Sequence, residues 1–290
     1  RSGTRIRSFF SLIETDWTVL PSSATRAGPA PATGLTLSFM DSSSTDSLQL
    51  QWQDNAVDET SFLLERSTDW ASWNFSKSLP DQAGSSPYVY INGPANADPA
   101  LLANVRYYYR VRAVNATAAS AYTNIASTFT RAAVPTAGAP ALSAVAVGSV
   151  TASYAANGNS AGTQYVSEAS TGPLPNSFSG NKSSRTASFS AVVSGLAANT
   201  TYYLAVKAVN GFEVESAFAS LGATATLAQV PTAAAPAFSA VELTSMTVSW
   251  LPNANPLDVT TYTVVLSTGS SYPNSFSGNA VLPSTAPAGA

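Results

Sequence analysis

The sequence predicts an all-β protein built from tandem antiparallel β-sandwiches. Three observations support this prediction: short segments alternate apolar and polar residues, one linker sequence occurs twice, and one late strand pattern occurs twice. Strict alternation with a period of two is typical of strands that bury one face. A repeat length of about 95 residues is too long for a solenoid unit and fits one sandwich per copy.

The recurring linker divides the chain into repeats. Val134-Pro135-Thr136-Ala137 returns as Val-Pro-Thr-Ala at 230–233, and a looser version opens at Pro29. We therefore predict a first repeat at 29–132, a second at 133–228 and a third at 229–290, preceded by an apolar segment at 1–28. The third repeat holds the early strands only, so it is predicted to be an incomplete sandwich.

Each repeat opens with an alternating strand that ends on an aromatic residue. The inward positions of Leu48-Gln49-Leu50-Gln51-Trp52 are apolar, and the strands ending at Tyr154 and Trp250 repeat this pattern. Later in the first two repeats, a Leu is followed six residues on by Tyr107 or Tyr202, and alternate apolar positions then lead to Ala-Val-Asn. These five aromatic residues are predicted to belong to the sandwich cores.

Taken together, these residues resemble the fibronectin type III family, an immunoglobulin-like sandwich, over roughly residues 29–290. The resemblance implies that Trp52 and Trp250 are the buried core tryptophan. It also implies that Tyr107 and Tyr202 form the tyrosine corner, whose hydroxyl bonds a nearby backbone group. Tyr154 departs from the pattern because it replaces the tryptophan in the second repeat. The stretch from Asp54 through Phe62 to Ser67 resembles bacterial members of the family.

The composition argues against several classes of function. Only 10% of residues are charged, the net charge is −3, and there is no His and no Cys. Nucleic acid is not an expected partner because phosphate binding requires clustered Lys and Arg. Acid–base catalysis usually uses His or a tuned carboxylate pair, so we expect no enzyme, no cofactor and no metal. The acidic stretch Asp54–Glu59 is interpreted as a polar turn, with calcium as the less favoured alternative.

One segment is rich in aromatic residues. Trp70, Trp73 and Phe75 lie within six residues of one another, and Phe212 follows a turn in the second repeat. Flat aromatic side chains on a β surface can stack on sugar rings or anchor a partner protein. The favoured interpretation is that they pack on the sheet or stand at hairpin tips, and a partner or glycan contact is the alternative.

The segment before the first repeat is too apolar for a flexible tail. It carries Phe9, Phe10, Ile13 and Trp17. The favoured interpretation is that both ends are cut from a longer array. The alternative is that this arm of one chain completes the third repeat of another by strand addition.

We expect a non-catalytic structural protein that is extracellular or on the cell surface, whose modules are spacers or subunits of a stalk, layer or filament. Its expected partners are copies of itself, other cell-surface proteins or glycans, and no membrane span is predicted. The alternatives are an adhesive or glycan-binding module and an accessory segment of a larger secreted enzyme.

Overall fold

The computed structural model of the chain is almost entirely β-structure. It describes residues 28–41, 44–82, 86–269, 272–275 and 278–284, together with the backbone of four short N-terminal strands. These strands are β1 (Arg5–Ile6), β2 (Phe9–Phe10), β3 (Ile13–Glu14) and β4 (Thr18–Val19). β1 pairs with β4 and β2 pairs with β3, both antiparallel. The side chains of the predicted arm, including Trp17, lie outside the described residues.

The first complete sandwich has seven strands. They are β5 (Thr33–Ser38), β6 (Leu48–Gln53), β7 (Ser61–Ser67), β8 (Phe75–Pro80), β9 (Tyr88–Asn92), β10 (Arg106–Val114) and β11 (Ala126–Phe129), with a 3₁₀ turn at Pro94–Asn96. One sheet has the order β5-β6-β9, and the other has the order β11-β10-β7-β8. The prediction of an antiparallel sandwich is confirmed here.

Aromatic rings from both sheets form the core of the first sandwich. Trp52 on β6 stacks on Tyr88 of β9, with ring centroids 4.5 Å apart, and meets the edge of Phe62 on β7 at 5.6 Å. None of the three is more than 1% exposed. Because β6 and β7 belong to different sheets, Trp52 joins the two layers.

The second complete sandwich repeats this arrangement. Its strands are β12 (Thr136–Ser143), β13 (Ser149–Ala155), β14 (Gln164–Ser170), β15 (Lys182–Thr186), β16 (Ser190–Ser194), β17 (Thr201–Val209) and β18 (Ala219–Ala225). The sheet orders are β12-β13-β16 and β15-β14-β17-β18. Tyr154 packs 5.2 Å from Tyr165 in the core, and the hydroxyl of Tyr202 accepts a hydrogen bond from the Ala197 N–H at 3.0 Å. Tyr107, the counterpart of Tyr202, is 5% exposed.

The third repeat contributes two pairs of strands. β19 (Thr232–Ser239) pairs with β20 (Thr247–Leu251), and β21 (Tyr262–Leu266) pairs with β22 (Ala280–Ser284). In the part of the chain that the structure describes, no strand pairs with the other edge of β21, where the second repeat has β17 against β14. Trp250, predicted to be a core residue, is therefore only half-buried, with its ring 5.7 Å from Tyr262.

The compact units of the chain do not follow the repeats. One unit comprises residues 1–38, 48–96 and 107–128, and the other comprises residues 39–47, 97–106 and 129–290. Residues 97–106, which lead into β10, thus belong to the second unit. The predicted repeat boundaries stay a prediction. Among the described residues, no helix is long and apolar enough to cross a membrane.

The Trp52 packing generates a stability prediction. Trp52→Ala should lower the unfolding free energy of the first sandwich by about 3–5 kcal/mol, because a large ring that joins both sheets is removed. Urea unfolding followed by circular dichroism measures this loss. Val57→Ala, at a side chain that is 99% exposed, is the control and should stay within about 0.5 kcal/mol. A loss below about 1 kcal/mol for Trp52→Ala would contradict the packing described here.

Candidate functional site

Two asparagines occupy matching positions in the loops before β10 and β17. Asn104 has φ 53° and Asn199 has φ 43°, both in the left-handed region. Non-glycine residues seldom adopt this region, and Asn tolerates it better than most. Each asparagine can therefore shape its loop and still present a side-chain amide to a neighbour.

Asn104 bonds to the second sandwich with both ends of its side-chain amide. Its Nδ2 donates to Thr163 Oγ1 at 2.8 Å, and its Oδ1 accepts from the Gly211 N–H at 2.9 Å. The hydroxyl of Ser160 donates to the Asn104 carbonyl at 2.6 Å. Asn104 is 8% exposed and Thr163 is 2% exposed. All of these residues lie within the second compact unit.

The same bond occurs again in the loop before β17. Asn199 Nδ2 donates to Thr260 Oγ1 at 2.9 Å. Each threonine hydroxyl in turn donates to a carbonyl of its own loop, Thr163 to Ser160 at 2.7 Å and Thr260 to Pro256 at 2.6 Å. Since the hydroxyl proton is used there, the threonine oxygen can only accept from the asparagine amide.

A second pair of asparagines holds the linkers between repeats. The Ala133 N–H donates to Asn159 Oδ1 at 2.7 Å, and Asn159 Nδ2 donates to the Ala133 carbonyl at 2.8 Å. Asn255 makes the same two bonds to Gln229, each at 2.7 Å. The side-chain amide thus pairs with the linker backbone as a neighbouring strand would. Asn159 is 9% exposed and Asn255 is 5% exposed.

A threonine fixes the start of each linker. Thr130 Oγ1 donates to the Leu102 carbonyl, and Thr226 Oγ1 donates to the Ala197 carbonyl, both at 2.6 Å. We use the term joint for each set of four residues. The first joint comprises Asn104, Thr130, Asn159 and Thr163, and the second comprises Asn199, Thr226, Asn255 and Thr260.

The sequence analysis did not identify the joint. Its signal is present as Asn-x-Asn at 157–159 and at 253–255, and as an asparagine three residues before each tyrosine-corner residue. Each of these residues is an ordinary loop residue by type, so only the repetition of the pattern could have marked it. One difference between the joints is that Pro256 occupies the position of Ser160 and supplies no hydroxyl.

Phe212, a predicted contact residue, lies beside the first joint. It is 50% exposed, and its ring meets the edge of Phe129 at 5.1 Å. A Cβ added to Gly211 would come within 2.3 Å of the Phe129 ring. A larger residue at this position would therefore have to displace the Phe129 ring, whereas glycine leaves the ring in place.

Trp70 is the exposed member of the aromatic segment of the first repeat. It is 55% exposed, and its ring meets the edge of Tyr108 at 5.3 Å. Its φ of 67° is rare for a bulky residue and marks a strained turn. Asp69, whose pKa is lowered to about 2 by hydrogen bonds led by that from the Ser72 backbone, holds this turn.

Arginines partly cover the other two aromatic residues. The guanidinium of Arg110 lies 4.0 Å from the centroids of both Trp73 and Tyr122, and its Nε bonds Glu65 at 2.7 Å. Phe75 instead lies 4.2 Å from the guanidinium of Arg66. The three predicted contact residues are thus not brought together as one surface, since Trp73 and Phe75 pack against different arginines.

Three carboxylates converge near the predicted acidic turn. Asp54, Glu59 and Asp81 place oxygens within 4.8 Å of one another. Burial raises the pKa of Glu59, and the negative charges of Asp54 and Asp81 raise it further. Exposed acidic groups are common without a bound ion, and the three carboxylates raise the local negative charge of the first repeat.

The strand order decides the fold. Each complete sandwich pairs a three-stranded sheet with a four-stranded sheet, and the order of strands is the same in both. Both complete repeats have the fibronectin type III fold. No protein-family model and no curated protein sequence matches the chain.

Solved fibronectin type III structures resemble the chain only distantly. A two-domain fibronectin type III segment from chicken tenascin is 17% identical, covering 68% of this chain and 99% of its own, with a TM-score of 0.42. The FN1–FN3 domains of chicken CNTN1 are 12% identical, covering 77% and 74%, with a TM-score of 0.29. The fold is identified by the order of the strands in each sheet.

The two joints can hold modules but offer no reactive group. Every side chain in them is an amide or a hydroxyl, and no member is titratable near neutral pH. The chemistry that they provide is a set of directional hydrogen bonds that hold each linker and join the loop asparagine of one repeat to the threonine of the next.

Proposed function

We propose that the chain is a non-catalytic extracellular structural protein whose fibronectin type III repeats act as spacers or subunits of a surface stalk, layer or filament. The observation that carries this proposal is the joint, which the sequence builds twice from matching residues. A chain that only needed to connect independent modules would have no use for two copies of one buried hydrogen-bond set.

The energy of the joint supports a stiff spacer. The second joint connects the loop before β17 and the linker to the third repeat through three side-chain bonds, two from Asn255 and one from Asn199. At a net 0.5–1.5 kcal/mol for each bond, an opening that breaks all three costs about 1.5–4.5 kcal/mol. The open form would then be populated at about 7% or less. A Gly/Ser linker of equal length would offer no such resistance.

We further propose that copies of the chain join head to tail by strand complementation. A cavity of about 370 Å³ lies beside Trp250 and Tyr262, along the edge of β21. The proposed occupant is the arm of a second copy, with Phe9, Phe10, Ile13 and Trp17 filling the cavity and its backbone pairing with β21. The arm backbone now pairs with itself through β1–β4 and β2–β3, so the exchange requires those pairs to open. Such a contact joins unlike surfaces, and it produces a filament when it does not close.

Trp70 supports a second candidate function, adhesion to a glycan or a protein. An exposed indole on a strained turn is a suitable anchor for a sugar ring. In this alternative the repeats present Trp70 at a distance from the surface that carries them. An accessory role within a larger secreted enzyme is a third alternative, which would use the same spacing property.

The stiffness of the joint can be measured directly because the chain has no cysteine. Ser183→Cys and Thr247→Cys place spin labels at exposed sites on β15 and β20. We expect a narrow distance distribution by electron paramagnetic resonance. With Asn199→Ala and Asn255→Ala added, the distribution should become about twofold broader because the linker loses its clamp. Asn74→Ala in the first repeat is the matched control. A broad distribution in the unmutated joint would refute the spacer proposal.

The arm proposal predicts a loss of assembly on truncation. The chain should form head-to-tail polymers visible by electron microscopy, and removal of residues 1–20 should abolish them while leaving the two complete sandwiches folded, as circular dichroism can verify. Unchanged polymers after truncation would show that the arm is not the connecting strand, and a strictly monomeric parent chain would have the same consequence.

The adhesive alternative predicts a dependence on Trp70. On a glycan array, Trp70→Ala should reduce binding by tenfold or more, which corresponds to about 1.4 kcal/mol for a lost stacking contact. Phe178→Ala removes an aromatic side chain of similar exposure, 54%, from the second repeat and is the control. Equal binding by the parent chain and Trp70→Ala would remove the support for this alternative.

A further inference from the structure

All three repeats share an asparagine and a threonine at the end where the preceding linker enters. An asparagine donates from Nδ2 to a linker carbonyl in all three: Asn55 to Pro31 at 3.0 Å, Asn157 to Val134 at 2.8 Å, and Asn253 to Val230. A threonine also precedes the first aromatic residue of the next strand by two positions in each repeat. These threonines are Thr60, Thr163 and Thr260.

The first repeat lacks the residue that completes the joint. Two positions after the shared asparagine, the second and third repeats have Asn159 and Asn255, whereas the first has Val57. The Val57 side chain is 99% exposed, and it can neither donate nor accept a hydrogen bond. Without the amide, no side chain at this position can pair with the N–H and C=O of a linker.

The threonine of the first repeat also differs in its exposure and in its hydrogen-bond partner. Thr60 is exposed, and its hydroxyl donates to the Val114 carbonyl at 3.3 Å. Thr163 and Thr260 are 2% and 5% exposed, and each accepts a hydrogen bond from the side-chain amide of a loop asparagine in the preceding repeat. The receiving framework is thus present in all three repeats, but the complete receiving set is present in two.

We propose that the joint is a directional pairing code between repeats. The donor half is the loop asparagine of one repeat, as in Asn104 and Asn199. The receiving half is a repeat with Asn-x-Asn followed by the buried threonine, and it fits the donor loop of either complete repeat. The first repeat carries a donor half but no receiving half, so it cannot follow another repeat in a locked joint. This inference rests on the proposed spacer function and adds a rule for the order of repeats.

The chemistry of the mismatch explains why the code discriminates. A linker that met Val57 in place of Asn159 would leave one N–H and one C=O without their side-chain partners. Water satisfies backbone groups that find no partner in the protein, so the mismatched linker would stay solvated and mobile. Discrimination therefore comes from the hydrogen bonds that only the right pair can form.

The test inserts an extra repeat into the full chain after Ala228. One variant receives a copy of residues 133–228, and the other receives a copy of residues 30–132. The second copy starts at Ala30 because this residue corresponds to Ala133 and Gln229, the linker residues that an asparagine holds. One spin label is placed at Ser183→Cys of the original second repeat. The other is placed at the equivalent exposed position of the inserted copy, which is Ser183→Cys in the copy of the second repeat and Ser76→Cys in the copy of the first. The distance between the two labels reports on the new joint. The copy of the second repeat should give a distribution as narrow as the native joint. The copy of the first repeat should give one about twofold broader, and Val57→Asn in that copy should narrow it again.

The outcomes separate this proposal from the spacer function. Equally narrow distributions for the two inserted copies would overturn the code while leaving the spacer function standing. A copy of the first repeat that stays broad after Val57→Asn would overturn the assignment of the code to this position. A broad native joint, measured with Ser183→Cys and Thr247→Cys, would overturn the spacer function and the code together. Circular dichroism, compared with that of the parent chain, verifies that each inserted copy is folded.

Discussion

The structure of the linkers depends on one constraint: a buried backbone amide or carbonyl needs a hydrogen-bond partner. A linker between two sandwiches belongs to neither sheet, so strand pairing does not supply those partners. Asn159 and Asn255 solve this problem because one carboxamide carries both a donor and an acceptor and can pair with one linker residue on both of its polar groups. The path of each linker follows from where these side chains stand.

The joint is neutral, and this distinguishes it from the ion pairs of the chain. The Arg185–Glu213 pair at 2.7 Å is well exposed, and surface pairs of this type contribute little and weaken with salt. The joint residues are mostly buried and uncharged, and their hydrogen bonds measure 2.6–2.9 Å. Uncharged hydrogen bonds of this kind keep their strength across a wide range of ionic strength and pH.

Local pattern was sufficient to predict the strands and the fold, because alternation and the position of Trp52 or Tyr202 reflect burial within one sandwich. It did not predict that Trp250 is only half-buried, because the strands that would bury this side chain are absent from the described part of the third repeat. The joint also escaped prediction, because Asn104 and Thr163 are far apart in sequence and are common loop residues. The arginines that cover Trp73 and Phe75 could not be foreseen either, since a cross-strand register decides which ring each guanidinium meets.

A polar joint has a consequence that an apolar joint would not have. Apolar faces adhere to one another with little regard for direction, so similar sandwiches joined in that way could associate in several orders or aggregate. The bonds of the joint require a donor loop on one side and an amide with a hydroxyl on the other, and the first repeat carries Val57 where that amide would stand. A mismatched pair loses partners for its backbone, whereas a matched pair satisfies them. In an array of sandwiches with the same core and the same strand order, the loops therefore determine which neighbour each repeat can hold rigidly.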